Sequence, residues 1–329
     1  MPRLALATAI AAAGLDDDLS PLLDACTRAG IDTQVRAWDD PSVAWGRFDA
    51  VLLRSTWDYT DRLREFLDWC ALVSTQTRLL NPLPVVLWNT DKHYLADLAA
   101  HGVEVVATSF VEPDMEPLPA LQAFLAAHEQ VTEFVVKPAV GAGSRDAQRY
   151  SREQEFGAAN HIARLLDADR SVMLQPYLAS VDHDGETALM YFAGTFSHAI
   201  RKGPLLRRDE GPTAHLFAAE AITPRTPAEE ELVLGERVLA ATTACLQLKG
   251  PLPYARVDLI RESDGSPRLL ELELCEPSLF LVHAEGSADR LAALLGEAWQ
   301  GAAAGCRNAL LLTLGTGVGG GVLVDGHLL

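Results

Sequence analysis

The chain is short of positive charge. Its 329 residues carry 27 Lys and Arg against 45 Asp and Glu, a formal net charge of −18. Neither nucleic acid nor an anionic membrane is therefore expected as a partner, since both demand a basic surface. Cysteine is sparse as well. Cys26, Cys70, Cys245, Cys275 and Cys306 are odd in number, far apart and without a C-x-x-C pair, which argues against a disulfide framework or a zinc site. A reducing cytoplasm is the expected compartment. No apolar run approaches the ~18–20 residues of a membrane span. The Ala/Leu-rich start after Arg3 has some likeness to a secretory signal, but residues 4–8 read better as a first strand and 9–18 as the loop beyond it. G-x-S-x-G and H-E-x-x-H are missing, none of the nine histidines has an obvious metal-ligand spacing, and no repeat of fixed period is visible. A protein nucleophile is thus not indicated, and small molecules remain the expected clients.

What is present is an ordered alternation. Residues 4–8, 31–36, 48–53 and 78–80 have strand character. Residues 20–29, closed by Gly30, and 61–73, with Leu63, Phe66, Leu67 and Cys70 on one face, have helix character. Such alternation implies a parallel sheet flanked by helices. Asn81-Pro-Leu-Pro breaks it, and a unit boundary is expected between there and Asn89. A second unit opens at Asn89-Thr90-Asp91-Lys92, a helix start followed by Leu95, Leu98 and Ala99 and closed by Gly102. Strands are then expected at 103–107, 133–137, 171–175, 187–192 and 195–201, and helices at 121–128, 152–166 and 227–245.

The most informative stretch is residues 254–274. Two apolar-alternating segments flank Asp264-Gly265, a pair suited to the positive φ angles of a tight hairpin. A turn centred there places Asp258 opposite Glu271 and Arg256 opposite Glu273. All four then share one face, with Leu270, Leu272 and Leu274 on the other. Three carboxylates within about 5–7 Å repel by roughly 0.8–3 kcal/mol per pair, and a cation relieves this. All-oxygen ligation suits Mg²⁺ or Mn²⁺, and Mg²⁺ commonly pairs one or two carboxylates with nucleotide phosphates. An acidic hairpin face can equally be the wet side of a sheet.

Two further segments bear on this. In 134–144, apolar strand residues lead into Lys137 and then a small-residue loop with Gly141, Gly143 and Ser144, whose backbone N–H groups suit phosphate oxygens; the same pattern fits a plain turn. Around Gln175, Pro176, Tyr177 and Leu178 an apolar strand is stopped by proline, leaving backbone groups for the edge of a base or forming a simple connection.

Together these parts resemble the ATP-grasp superfamily. The order is a lysine at a helix start (Lys92), a lysine before a small-residue loop (Lys137), a hinge (175–178), Gly185-Glu186, Arg256-Val-Asp258 and Glu271-Leu-Glu273. The resemblance covers roughly residues 1–300. It implies an α/β (α+β) ATP-grasp fold with an N-terminal parallel α/β unit (1–88), a small ATP-grasp subdomain (89–178) and a C-terminal one (179–300). ATP and Mg²⁺ are implied as cofactors. Lys92, Lys137, Gly141, Gly143, Ser144 and Glu186 would serve the nucleotide, residues 175–178 would hold adenine, and Asp258, Glu271 and Glu273 would hold metal. Many relatives have Asn where Glu273 stands, and the extra charge favours a second ion. Lys137 and Arg256 would offset charge in the transfer.

Substrate contacts are expected from Arg54-Ser55-Thr56-Trp57-Asp58-Tyr59 at the end of a strand, where open parallel sheets bind ligands, unless Trp57 merely packs. Arg201, Lys202 and Ser278 are further candidates. The motif at 54–59 and the run 270–280 are similar to the cyclo-ligases that close O-ureido-D-serine to D-cycloserine, with release of ADP, phosphate, CO₂ and NH₃. An intermolecular carboxylate–amine ligase, needing a second amine, and a nucleotide-binding regulator without turnover are the alternatives. A homodimer or higher homo-oligomer is left open.

Residues 301–329 stand apart. Their Gly-Thr-Gly-Val-Gly-Gly-Gly stretch resembles the glycine-rich strand–turn–strand of sugar kinases of the repressor/kinase superfamily. The rest of such a kinase is missing, so the segment is expected to be an appended tail without chemistry.

Overall fold

The computed structural model describes residues 1–206, 211, 221–300, 309–314, 318–324 and 327–328, with side chains up to residue 296. The first unit follows from the alternation of apolar strands and amphipathic helices. It comprises β1 (Arg3–Thr8), α1 (Leu19–Arg28), β2 (Asp32–Ala37), β3 (Ala50–Ser55), α2 (Leu63–Gln76) and β4 (Arg78–Leu80). The sheet is all parallel, in order β2-β1-β3-β4. Buried on both faces, β1 and β3 read as near-continuous apolar runs. Gly30 ends α1 at φ +73°, the left-handed position that favours glycine.

The stretch where the unit boundary is expected, 81–88, is mostly helix: α3 (Leu83–Asn89) has proline in its first turn, where the missing N–H costs nothing. The next helix, α4 (Tyr94–Ala100), therefore starts later than the Asn89 signal suggests. It buries Tyr94, Leu95 and Leu98, and leaves Ala99 exposed. The strand expected at 103–107 is a single bridge, Val105 to Leu269; the strand itself is β5 (Ser109–Val111). After α5 (Pro117–Ala127) come β6 (Glu133–Pro138), β7 (Gln148–Ser151), α6 (Glu155–Leu166) and β8 (Val172–Pro176). These strands form an antiparallel sheet, β5-β8-β6-β7, with α5 and α6 packed on it. β7 was too short and polar to be anticipated.

The third sheet, β11-β10-β9-β12-β13, is antiparallel. It follows the short α7 (Val181–Asp184) and contains β9 (Glu186–Phe192), β10 (Thr195–Lys202) and β11 (Ile222–Arg225). After α8 (Glu229–Leu246) come β12 (Tyr254–Arg261) and β13 (Pro267–Glu273), then α9 (Ser287–Gln300). The period of two divides its residues. Leu189, Tyr191, Ala199, Ala255 and Val257 enter one core with α4 and α8. On the opposite face Ala188, Met190, Ile200 and Tyr254 enter a core shared with β1, α1 and α9. Along that second face, Glu186, Lys202, Arg256 and Asp258 follow in the same parity, so the sheet turns from apolar to charged.

In the tail, β14 (Ala309–Leu314) pairs antiparallel with β15 (Val318–Val324), and β15 with β16 (His327–Leu328). Residues 301–308, 315–317, 325–326 and 329, including Cys306, lie outside the described residues.

Candidate active site

The hairpin β12–β13 pairs Arg256 with Glu273 and Asp258 with Glu271, the register expected from sequence. Two departures cancel to produce it. The loop is one residue longer than a two-residue turn: Glu262 N donates to Ser266 O (2.8 Å), and Gly265 takes φ +85°. A bulge then restores the count, because β13 spends one extra residue, Leu270, between the Leu269 and Glu271 pairings. The expected apolar face is corrected accordingly. Leu269, Leu272 and Leu274 enter the core, whereas Leu270 turns to the opposite side and lines a cleft of about 430 Å³.

That cleft gathers most of the sequence-predicted residues: Lys92, Lys137, Gly141, Gly143, Ser144, residues 175–178, Glu186, Lys202, Arg256, Glu271, Glu273, Trp57 and Ser278 all line it. At its floor the charges interlock. Lys202 Nζ donates to Asp258 (2.7 Å) and lies 2.8 Å from Glu186. Arg256 donates Nε and Nη2 to the two oxygens of Asp258 (2.9 and 3.0 Å) and also holds Glu273. Lys92 Nζ stands 3.1 Å from Glu271 and donates to Gly141 O (2.6 Å), which ties the floor to the loop.

The protonation balance follows from these contacts. Burial alone would raise Asp258, but Arg256 and Lys202 hold it below the ordinary carboxylate range. Burial likewise opposes ionisation of Glu271, and Lys92 and Lys137 overcome it. At Glu273 burial wins: with Glu271 and Asp258 adding repulsion against the pull of Arg256, its pKa rises to about 8. Burial raises Glu276 to about 7 despite the Tyr59 hydrogen bond. Lys137 is pushed down, first by burial, with Glu271 opposing.

Could these residues hold a divalent ion? Among the described residues no group of three His, Cys, Asp or Glu forms a ready cage. Asp258 is 1% exposed, does not line the cleft and has both oxygens engaged by cations. It stands here as an anchor for Arg256 and Lys202 rather than an open ligand. Glu271 and Glu273 do line the cleft, and burial keeps Glu273 protonated up to about pH 8 unless a further cation joins it. Two carboxylates of this kind fit an ion whose remaining ligands are phosphate and water oxygens.

The loop bends through Gly143 at φ +61° and Ser144 at φ +57°. The hinge is less open than expected. Gln175 and Pro176 still pair with β6, and Tyr177 N donates to Glu133 O (2.9 Å). The Arg149 guanidinium lies 3.5 Å over the Tyr177 ring and fixes that wall.

The expected substrate motif is corrected most. Arg54 is fully buried, donates to Pro277 O (3.0 Å) and Asp18 (3.1 Å), and lies 3.5 Å from Asp16, so its charge is consumed inside the fold. Ser55 and Thr56 are fully buried too. Asp58 accepts from Trp38 Nε1 (2.9 Å) and Arg62 (2.5 Å). Tyr59 is buried against Glu276. Of the six, Trp57 alone lines the cleft, with its Nε1 donating to Glu276 O (3.0 Å). Arg201 turns away as well, donating to the His183 and Asp184 carbonyls. Sequence reading missed Asp16, Asp17, Asp18, Glu276, Phe280 and His283, which complete the wall. The acidic run 16–18 lies in the loop after β1, at the carboxyl end of a parallel strand, and that position was the available signal.

A family model described as the N-terminal domain of D-cycloserine synthetase DcsG matches residues 4–81, and a ROK family model matches 281–329. The chain is 47% identical over 297 residues to the cycloserine biosynthesis protein DcsG of Streptomyces lavendulae, covering 90% of this chain and 99% of that one. A crystal structure of D-cycloserine synthetase DcsG superposes with a TM-score of 0.85 at 46% identity, over 90% of this chain and 99% of its own. A D-alanine–D-alanine ligase from Bacillus anthracis, complexed with ATP, shares the fold at TM-score 0.58 and 15% identity, over 90% and 95%. The likeness to a glucokinase of Halalkalibacterium halodurans is confined to 37 residues at 60% identity, 11% of either chain. Joined to the cleft between two antiparallel sheets, these likenesses show that the chain has the ATP-grasp fold and belongs to the D-cycloserine synthetase (DcsG) family.

Proposed function

We propose that the chain is an ATP-dependent cyclo-ligase that closes O-ureido-D-serine to D-cycloserine. The observation that supports this best is the convergence of Lys92, Lys137, the 141–144 loop, the 175–178 hinge, Glu271 and Glu273 on one cleft, in a chain 47% identical to a cycloserine biosynthesis protein. Adenine would lie between the hinge and Leu270, and the phosphates would lie toward Lys92, Lys137 and the loop. Glu271 and Glu273 would hold Mg²⁺, with Mn²⁺ able to replace it. When bound, the ion neutralises charge on the transferred phosphoryl group. The units 1–88, 89–178 and 179–300 would then serve as substrate wall, nucleotide clasp and catalytic floor.

A carboxylate is a poor acyl electrophile, and phosphorylation by ATP makes it an acyl phosphate. The ureido nitrogen attached to oxygen then attacks that carbonyl. The ring C–N bond forms, the acyl C–O bond breaks, phosphate leaves, and the nitrogen loses its proton. The carbamoyl group departs with one water as CO₂ and NH₃. Well-oriented intramolecular attack reaches effective molarities of about 10⁵ M or more, so the protein need only activate, fold and shield the substrate. Lys92, Lys137 and Arg256 would offset charge as the phosphoryl group moves. The described cysteines are all free thiols, which suits a reducing cytoplasm.

The test is to supply ATP, Mg²⁺ and a panel of amino acids singly, O-ureido-D-serine among them, and to measure ADP. Release with O-ureido-D-serine alone is expected. A requirement for a second amine would make the protein an intermolecular ligase, and nucleotide binding without release would make it a regulator.

A further inference from the structure

Asp16 is an oddity at the cleft. Its side chain is 1% exposed. Oδ1 is used twice, accepting from Asp18 N (3.0 Å) and from Arg54 Nη2 (3.5 Å). Oδ2 is buried and has no hydrogen-bond partner. Its neighbour Asp18 is fully employed, accepting from Leu279 N (2.6 Å), Phe280 N (3.1 Å), Leu281 N (2.6 Å) and Arg54. An orphaned, buried carboxylate oxygen is costly unless something meets it. Asp16 lines the same cleft as Glu276, Trp57 and Phe280. Glu276 is 8% exposed, and Tyr59 is hydrogen-bonded to it. Two buried acids among aromatic rings make a poor place for an anion and a good one for a small cation with hydrogens to donate.

We propose that Asp16, together with Glu276, binds the α-ammonium of the amino-acid substrate and so selects substrates with a free amine beside the carboxyl to be activated. This deepens the cyclo-ligase reading and rests on it for an amino-acid substrate whose carboxyl group is activated in this cleft. The partners of Oδ1 hold the loop, and Oδ2 is left for the ligand. The change Asp16→Asn therefore keeps the Oδ1 contacts and replaces the charged acceptor by an uncharged group.

The experiment compares wild type and Asp16→Asn for ADP release with O-ureido-D-serine, with its analogue lacking the α-amine, and across ATP concentrations. Expected in the variant is a KM for the amino acid raised about tenfold or more, a KM for ATP within about twofold of wild type, and loss of most preference over the deaminated analogue. Unchanged preference in the variant overturns the proposal, as does a wild type that turns over both compounds equally. If another amino acid from the panel drives ADP release and O-ureido-D-serine does not, the cyclo-ligase reading falls. Asp16 is then judged on that amino acid and its own deaminated form. If Asp16→Asn does not fold, Glu276→Gln is read by the same comparison, with the same expected loss of preference and the same overturning result.

Discussion

Two buried charge networks reach adjacent carbonyls, those of Pro277 and Ser278, and they differ in one respect. Around Arg54, two acids of the β1 loop and the carbonyl of Pro277 close on a guanidinium that never reaches the cleft. Around Arg256, a second guanidinium holds Asp258 and Glu273, yet the cluster opens on the cleft and leaves Glu273 with a pKa of about 8. The first network is nearly closed and ties the 277–281 loop to the parallel sheet. The second is left incomplete on the side where a ligand enters. Buried charge by itself therefore does not mark a site; buried charge that the fold leaves short of a partner does. Asp16 is the exception within the first network, with one oxygen engaged there and one left over.

The contrast can be broken by mutation. The largest effect is expected from Arg54→Met, which strands Asp16 and Asp18 without their cation. Removing one member of such a buried pair costs about 3–5 kcal/mol, to be read in a urea melt. Stability within about 1 kcal/mol of wild type would mean that Arg54 does not tie the loop. Next is Glu271→Gln, with an expected loss of ADP release of about 10²-fold or more and an unchanged melting temperature; near-normal turnover would refute the metal assignment. Lys137→Met should follow, raising the KM for ATP about tenfold through a lost charge-assisted phosphate contact, with secondary structure unchanged by circular dichroism. An unchanged KM would place the phosphates elsewhere.

A further effect concerns pH. Burial lifts Glu273 from 4.5 to about 8 in the folded state, so its contribution to stability is full below about pH 4.5 and is lost as pH rises through about 8. Without nucleotide, wild type should lose stability relative to Glu273→Gln between pH 5 and 8, and magnesium with a non-hydrolysable ATP analogue should remove that difference. Parallel melting curves across this range would show that Glu273 is compensated within the apoprotein.

Local pattern made much of this legible. The parallel sheet announced itself through apolar runs separated by capped helices, and the acidic face of β12–β13 came from a period of two. Even there the facing of Asp258 and Glu271 survived only because a longer loop and the Leu270 bulge offset each other, and nothing in the residues revealed either. The substrate wall was misread for a different reason. Residues 54–59 have the chemistry of a binding loop, but tertiary packing turned Arg54, Ser55 and Thr56 inward, and burial of that kind is set by segments more than 200 residues away. Glu276 and Asp16 escaped notice because each becomes informative only once it lines the cleft, and that placement depends on how the 277–281 loop docks on Asp18.

On this reading one cleft activates a carboxyl group with ATP and lets the same substrate molecule close on it. The direct measurement is a reaction with O-ureido-D-serine, ATP and Mg²⁺ and no other amine, in which ADP is counted and products are weighed by mass spectrometry. One ADP per D-cycloserine formed is the predicted result. ADP without the ring, or a product that appears only after a second amine is added, would contradict it.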